Sequence, residues 1–359
     1  MGKHSYGIHT KGVSEGRQPF TYQYGHTRNI RLTVKEKGFF LAVERTIEMA
    51  AESCLNDALV KDALKKTALI QLIRYGKISL GEICFNGHDV STVVRTAQQC
   101  KETPLLYGLC GNGLIRKMSR GWNDPACLKT VCDSCKSRNT RLDAALYALL
   151  IAKSRTYEAE KFTYLWMAMN GLYGKAVKIA NEYLPKTRKG KDWITKECDE
   201  LKFMAMYLGC SWETAPQKDK VESLLRNILI VLTDVRADQI ENLIYAAKTE
   251  DKSAEEICRI NELQNAKGNL IHPYASLLLW VPYKVRCSYF HSEKALPLLS
   301  FADEYPLPAI RVLNHVLEDF LDDELWKWFD PEKLEKEIKP QIHAAADKYK
   351  AKQQDGIFE

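Results

Sequence analysis

No uncharged apolar run in this 359-residue chain approaches the roughly 20 residues that a membrane-spanning helix needs; the longest, Ala144 to Ala152, reads AALYALLIA. Met1 leads into MGKHSYG, which lacks the basic-then-apolar order of an export signal. These two absences predict a cytoplasmic chain with no membrane partner. Strand and helix patterns do not alternate and no period repeats, so neither a doubly wound sheet nor a solenoid is expected. The glycines of YGLCGNGLIRK (Gly108, Gly111, Gly113) lack the Gly-Lys-Ser/Thr ending of a phosphate loop. No carboxylate pair shows the spacing of an acid/base site. What is abundant is core-forming material: 45% hydrophobic and 27% charged residues exclude wholesale disorder and suit one large or two modest folded units.

The charge is uneven. Residues 1–37 hold seven Lys/Arg (Lys3, Lys11, Arg17, Arg28, Arg31, Lys35, Lys37) against Glu15 and Glu36, which accounts for most of the net +6. This leader, 1–38, is rich in Gly, Tyr and His and poor in aliphatic residues, so it is expected to be flexible at its start. Rings between cations suit single-stranded RNA, with Arg28, Arg31 and Lys35 as candidate phosphate contacts. From Phe39, apolar residues at threes and fours (Phe40, Val43, Ile47, Ala50, Ala51) predict helices, and residues 39–140 are expected to form a helical, cysteine-rich domain. Glycines punctuate 76–138, the stretch that is hardest to assign. Residues 141–330 read as a second helical domain, including LDAALYALLIAKS and FTYLWMAMNGLYGKAVKIANEYL, the latter stopped by Pro185 and the basic KTRKGK loop. A helix is expected at about 306–322, and 331–359 form a charged, helical tail. The fold class expected is all-α.

Eleven cysteines, an odd number, do not make a complete disulfide framework, and reduced thiols are expected. Six lie between Cys84 and Cys135. Cys132 and Cys135, two residues apart, can share one Zn²⁺ at about 2.3 Å. Cys127 and Cys110 are the favoured third and fourth ligands, with Cys100, Cys84 and His88 as substitutes. A second two-residue pair, which would mark a zinc ribbon, is missing; buried small apolar thiols remain the competing reading.

VPYKVRCSYFHSEK places Arg286 and His291 with four residues between them. A guanidinium is a permanent planar donor to phosphate oxygens, and an imidazole exchanges protons near neutral pH. Together they supply what metal-free RNA cleavage requires. Five residues turn a helix by about 140°, so a helix end, or two copies facing each other across a dimer, must bring the pair together. The competing reading makes Arg286 an ion-pairing residue for Asp303, Glu304 or Glu318, and His291 a surface histidine.

The block KFTYLWMAMNGLYG (161–174), an aromatic, Leu-Trp, a small residue, Asn and Leu-Tyr-Gly, resembles the early helix of HEPN domains, the higher-eukaryote and prokaryote nucleotide-binding family. VRCSYFHSEKALPLL resembles that family's motif of Arg, four to six residues, then His. The resemblance covers roughly 141–330. It implies an HEPN-like helical bundle that dimerises, with Arg286 and His291 as the catalytic pair, and a metal-independent endoribonuclease. Cys287, followed by Ser288, stands where many members carry a polar residue after the arginine, which makes Ser288 a candidate support, as is Asn170 on the aromatic helix. Many such proteins serve bacterial antiphage defence or act as toxins, implying a trigger or a neutralising protein as partner.

Two other readings stay open. One is a non-catalytic nucleic-acid-binding or dimerisation module that uses the leader and a zinc knuckle. The other is a DNA-binding regulator, in which ISLGEICFNGHDVSTVVRTAQQC forms a helix–turn–helix presenting Ser91, Thr92 and Arg95.

Overall fold

The computed structural model describes residues 4–11, 20–24, 30–35, 38–45, 82–86, 88–89, 118–137, 140–195 and 307–354. It also describes scattered positions among 53–76 and 200–208, and at 282 and 286. The chain divides into two compact units, 1–139 and 140–359. Most described residues are helical, and no described helix is long and apolar enough to cross a membrane.

The first unit holds an antiparallel sheet of β1 (His4–Lys11), β2 (Phe20–Tyr24), β3 (Ile30–Lys35), β4 (Gly38–Arg45), β5 (Glu82–Phe85) and β6 (His88–Asp89), in the order β2-β3-β4-β1-β5-β6. This corrects three expectations. The described leader residues lie in strands, where no regular structure was expected: FTYQY and IRLTVK are rich in the aromatic and β-branched residues that fit a pleated surface, and they pair from Phe20↔Val34 to Tyr24↔Ile30. Residues 38–45 are a strand where helical spacing was expected, because a short apolar run fits either period, and pairing with β1 and β3 decides it. Residues 82–89 are a β-hairpin, so no helix–turn–helix forms there; Ser91, Thr92 and Arg95 lie outside the described residues. Asn86 turns this hairpin at φ 47°, a conformation asparagine tolerates. It is tied to β1 twice, its amide donating to the Gly7 carbonyl and its Oδ1 accepting from the Gly7 amide, both at 3.0 Å.

A 3₁₀ turn (Arg120–Asn123) leads into α1 (Pro125–Ser137). Asp124 starts this helix, its Oδ1 accepting from the Ala126 amide at 2.7 Å, with Pro125 at the first helical position. Cys127, Leu128, Val131 and Cys132 form its buried face. The helix packs near β2, where the buried Tyr22 donates its hydroxyl to Asp133.

Among the described residues the second unit is built of helices with no strand, as the all-α expectation has it for this region. It contains α2 (Thr140–Ser154), α3 (Glu158–Tyr183), α4 (Leu307–Phe329) and α5 (Lys339–Gln354), the last preceded by a short turn (Pro331–Lys333) and a π-helical turn (Leu334–Ile338). α3 opens with Glu158 and Glu160, favourable at the positive end of a helix, and closes at Leu184 before Pro185. Its buried side includes Phe162, Leu165, Trp166, Met169, Leu172 and Tyr173, and it packs on α2, α4 and α5. α4 contributes Leu313, Leu317, Leu321, Leu325 and Trp328 at helical spacing, and α5 adds Ile342, Ala346 and Tyr349.

Close approach of α2 and α3 depends on glycine. A Cβ on Gly171 would lie 2.7 Å from the Arg141 carbonyl oxygen and 2.8 Å from the Ala145 Cβ. At Gly174 it would strike the Arg141 guanidinium, whose Nη1 donates to the Gly174 carbonyl at 2.7 Å. Helix propensity alone would favour alanine at position 171 by up to about 1 kcal/mol, whereas overpacking against backbone costs about 1–3 kcal/mol. Gly171→Ala is therefore expected to lower the thermal midpoint; an unchanged or raised midpoint would contradict this packing.

Candidate functional site

The aromatic block 161–174 lies on α3, whose apolar residues recur at three and four and so turn inward. Met167, 53% exposed, and Asn170, also exposed, stand out of this largely buried stretch one turn apart. Asn170 therefore does not serve the core. Arg286 is helical and half-buried in the same unit. His291, Ser288, Asp303 and Glu304 lie outside the described residues.

Sequence reasoning missed a buried charge network that joins three helices. Lys153, near the end of α2, places Nζ 3.0 Å from Asp322 Oδ2 and 3.4 Å from Glu318 Oε1 on α4. Lys161 on α3 reaches Glu318 Oε2 at 2.5 Å. The Lys153 side chain is 2% exposed and that of Glu318 0%. One turn earlier on α4, Asn314 Nδ2 donates to both the carbonyl and Oε2 of Glu158 at 2.8 Å, and Arg311 donates to Glu158 Oε1 at 3.2 Å. Desolvating two carboxylates is costly unless cations meet them, so the network fixes one axial register of α4 against α2 and α3. Its sequence signal was a lysine closing an apolar helix and the carboxylates of EDFLDDE, which composition alone assigns to a solvated face.

Asp323, on the same helix, is half-buried. Burial, then the neighbouring Asp322, pushes its carboxyl up to about 6 despite the opposing Lys327. A carboxyl whose folded pKa is raised stabilises the fold below its unfolded value near 4, and that stability is lost as pH rises through about 6. Asp323→Asn removes the charge. It is expected to stabilise the protein at pH 7 by on the order of 1 kcal/mol, after allowance for solvent screening, with the gain vanishing below about pH 4. Chemical denaturation of both proteins across this range measures the difference; a gain independent of pH would contradict the assignment.

Cys127 and Cys132 are buried, and Cys135 follows Cys132 by three residues on α1. Along a continuous helix the backbone rise alone sets Cys127 about 12 Å from Cys135, farther apart than two ligands of one ion stand. Cys84 is buried on β5 and His88 exposed on β6; Cys100 and Cys110 lie outside the described residues. Among the described residues no group of three or more metal-ligating side chains gathers. Arg31 and Lys35 sit on β3, opposite Ala42 and Gly38 of β4, and Arg28 is outside the described residues.

No family model matches the chain, and neither the curated proteins nor the solved structures searched contain a match.

Proposed function

We propose that the chain is a metal-independent endoribonuclease of the HEPN type that acts as a homodimer, serving cytoplasmic antiphage defence or a toxin system. The observation that carries this reading is the character of α3. The aromatic block that resembles the family's early helix lies on a helix with one buried face in a helical unit, from which Asn170 emerges exposed. Half-buried Arg286, in the other block of the resemblance, belongs to the same unit.

In the proposed reaction His291 of one subunit accepts the proton of a ribose 2′-hydroxyl. The 2′-oxygen then forms its bond to phosphorus as the bond to the 5′-oxygen breaks. The protonated His291 of the second subunit supplies the leaving oxygen with its proton. Arg286 holds the non-bridging oxygens, whose charge grows in the transition state. The products are a 2′,3′-cyclic phosphate and a free 5′-hydroxyl. Structural zinc on Cys132 and Cys135, completed by Cys110 and a further ligand, is proposed for the first unit, where it would hold a fold rather than act on RNA.

The purified full chain, incubated with mixed RNA in EDTA, tests the reading. Cleavage that persists while metal analysis and circular dichroism report the state of the first unit supports it; intact RNA with a folded dimer overturns it.

A further inference from the structure

The loop after α3 was read from sequence only as a helix stop, yet it is tightly organised. Asn181 grips both sides of Ile194, its Nδ2 donating to the Ile194 carbonyl at 2.9 Å and its Oδ1 accepting from the Ile194 amide at 3.2 Å. Trp193 Nε1 donates to the Pro185 carbonyl at 2.6 Å, closing the base of the loop. At its tip the Thr187 amide donates to the Lys191 carbonyl at 2.9 Å, the Gly190 amide to the Thr187 carbonyl at 2.8 Å, and the Lys191 amide to Thr187 Oγ1 at 3.0 Å. Gly190 takes φ +72°, a conformation glycine adopts without strain.

This order displays charge. Lys186 is paired with Asp192, which leaves Arg188, Lys189 and Lys191 exposed and without an ion-pair partner among the described residues. Aromatic groups adjoin them: Tyr183 stacks on His343 with centroids 3.9 Å apart and planes within 8°, yet stays 44% exposed. Lys350 lies 5.9 Å above the Trp193 ring. Further back on α3, partial burial and then the nearby Lys178 push the Lys175 ammonium below the usual lysine range, with Lys339 adding to this against Glu182.

We infer that the Lys186–Lys191 loop and the Tyr183/His343 stack form a binding surface for single-stranded RNA, distinct from the Arg286/His291 pair. Three cations carried on an ordered loop backbone meet successive phosphates, and an accessible ring offers a stacking face to an unpaired base. A duplex keeps its bases inside the stack and gains nothing from that ring. An anionic bilayer offers phosphates but no unpaired base for that ring, whose hydroxyl donates to Asp347 at 2.9 Å. The inference rests on the reading of the chain as RNA-directed, but not on its cutting RNA.

Fluorescence anisotropy of the full chain with a labelled 2′-O-methyl RNA of about 20 nucleotides separates the two, because the blocked 2′-oxygen prevents cleavage. Arg188→Ala/Lys189→Ala/Lys191→Ala is expected to weaken binding at least about tenfold near 0.1 M salt and to reduce the logarithmic salt slope by about 2. Tyr183→Leu, with every cation retained, is expected to weaken binding by about 1–3 kcal/mol, roughly 5- to 150-fold, without changing that slope. Unchanged affinity and slope in the triple variant, with an unchanged thermal midpoint, would overturn the inference. So would a loss confined to duplex DNA or to vesicles containing one-third anionic lipid. If the natural RNA is left uncut while the loop variants lose binding, the nuclease reading fails and this surface stands.

Discussion

His291→Ala is expected to lower RNA cleavage by about 10²–10⁴-fold, the usual worth of a positioned acid/base. Arg286→Ala should lose a comparable factor by removing the donor that meets charge on the transition state. The two losses differ in kind. Without the imidazole, cleavage should lose its dependence on a group titrating near neutrality, whereas the arginine variant keeps that pH profile and turns over more slowly. Arg286→Lys separates charge from shape: an ammonium keeps the cation but not the planar two-point fork, so it should restore only part of the rate. Retained dimerisation and thermal midpoint must accompany each loss. Wild-type rates in both alanine variants would dissociate the pair from the chemistry.

Lys153→Ala carries the largest expected effect on stability. The substitution removes a cation from between Glu318 and Asp322, where the Glu318 side chain has no solvent exposure. Breaking a buried pair from one side typically costs about 3–5 kcal/mol, and the low end is expected because Lys161 still holds Glu318 at 2.5 Å. For a unit of this size each kcal/mol corresponds to about 2–4 °C, so the midpoint should fall by roughly 6–12 °C. Asp322→Asn added to Lys153→Ala should cost less than the sum of the two, since both changes act on one pair. Additive losses would mean that the two side chains do not communicate.

How much was legible follows from the range of each interaction. The helix at 158–183 could be read because its apolar residues repeat at three and four and a proline closes it; the helix beginning near 306 was read from the same signal, though it runs on to Phe329. The β-sheet could not. GFFLAVER satisfies two periods, and only pairing such as His4↔Arg45, forty-one residues apart, selects the strand. The charge network lies further still beyond local pattern, since Lys153 meets partners 165 and 169 residues away. The chemistry of Arg286 and His291 was read from residue type, and the aromatic block was singled out by its resemblance to a family motif. The exposure of Asn170 came only with the fold, because it depends on which face of α3 the other helices cover. The basic loop was visible as composition; its order was not, since Asn181, thirteen residues before Ile194, sets it.

Mapping the ends of RNA cut by the wild-type protein in EDTA tests the central claim most directly. The account predicts 2′,3′-cyclic phosphate ends, or the 3′-phosphates formed when these open, opposite free 5′-hydroxyls. Ends bearing 5′-phosphate and 3′-hydroxyl, or cleavage that requires an added divalent ion, would contradict it.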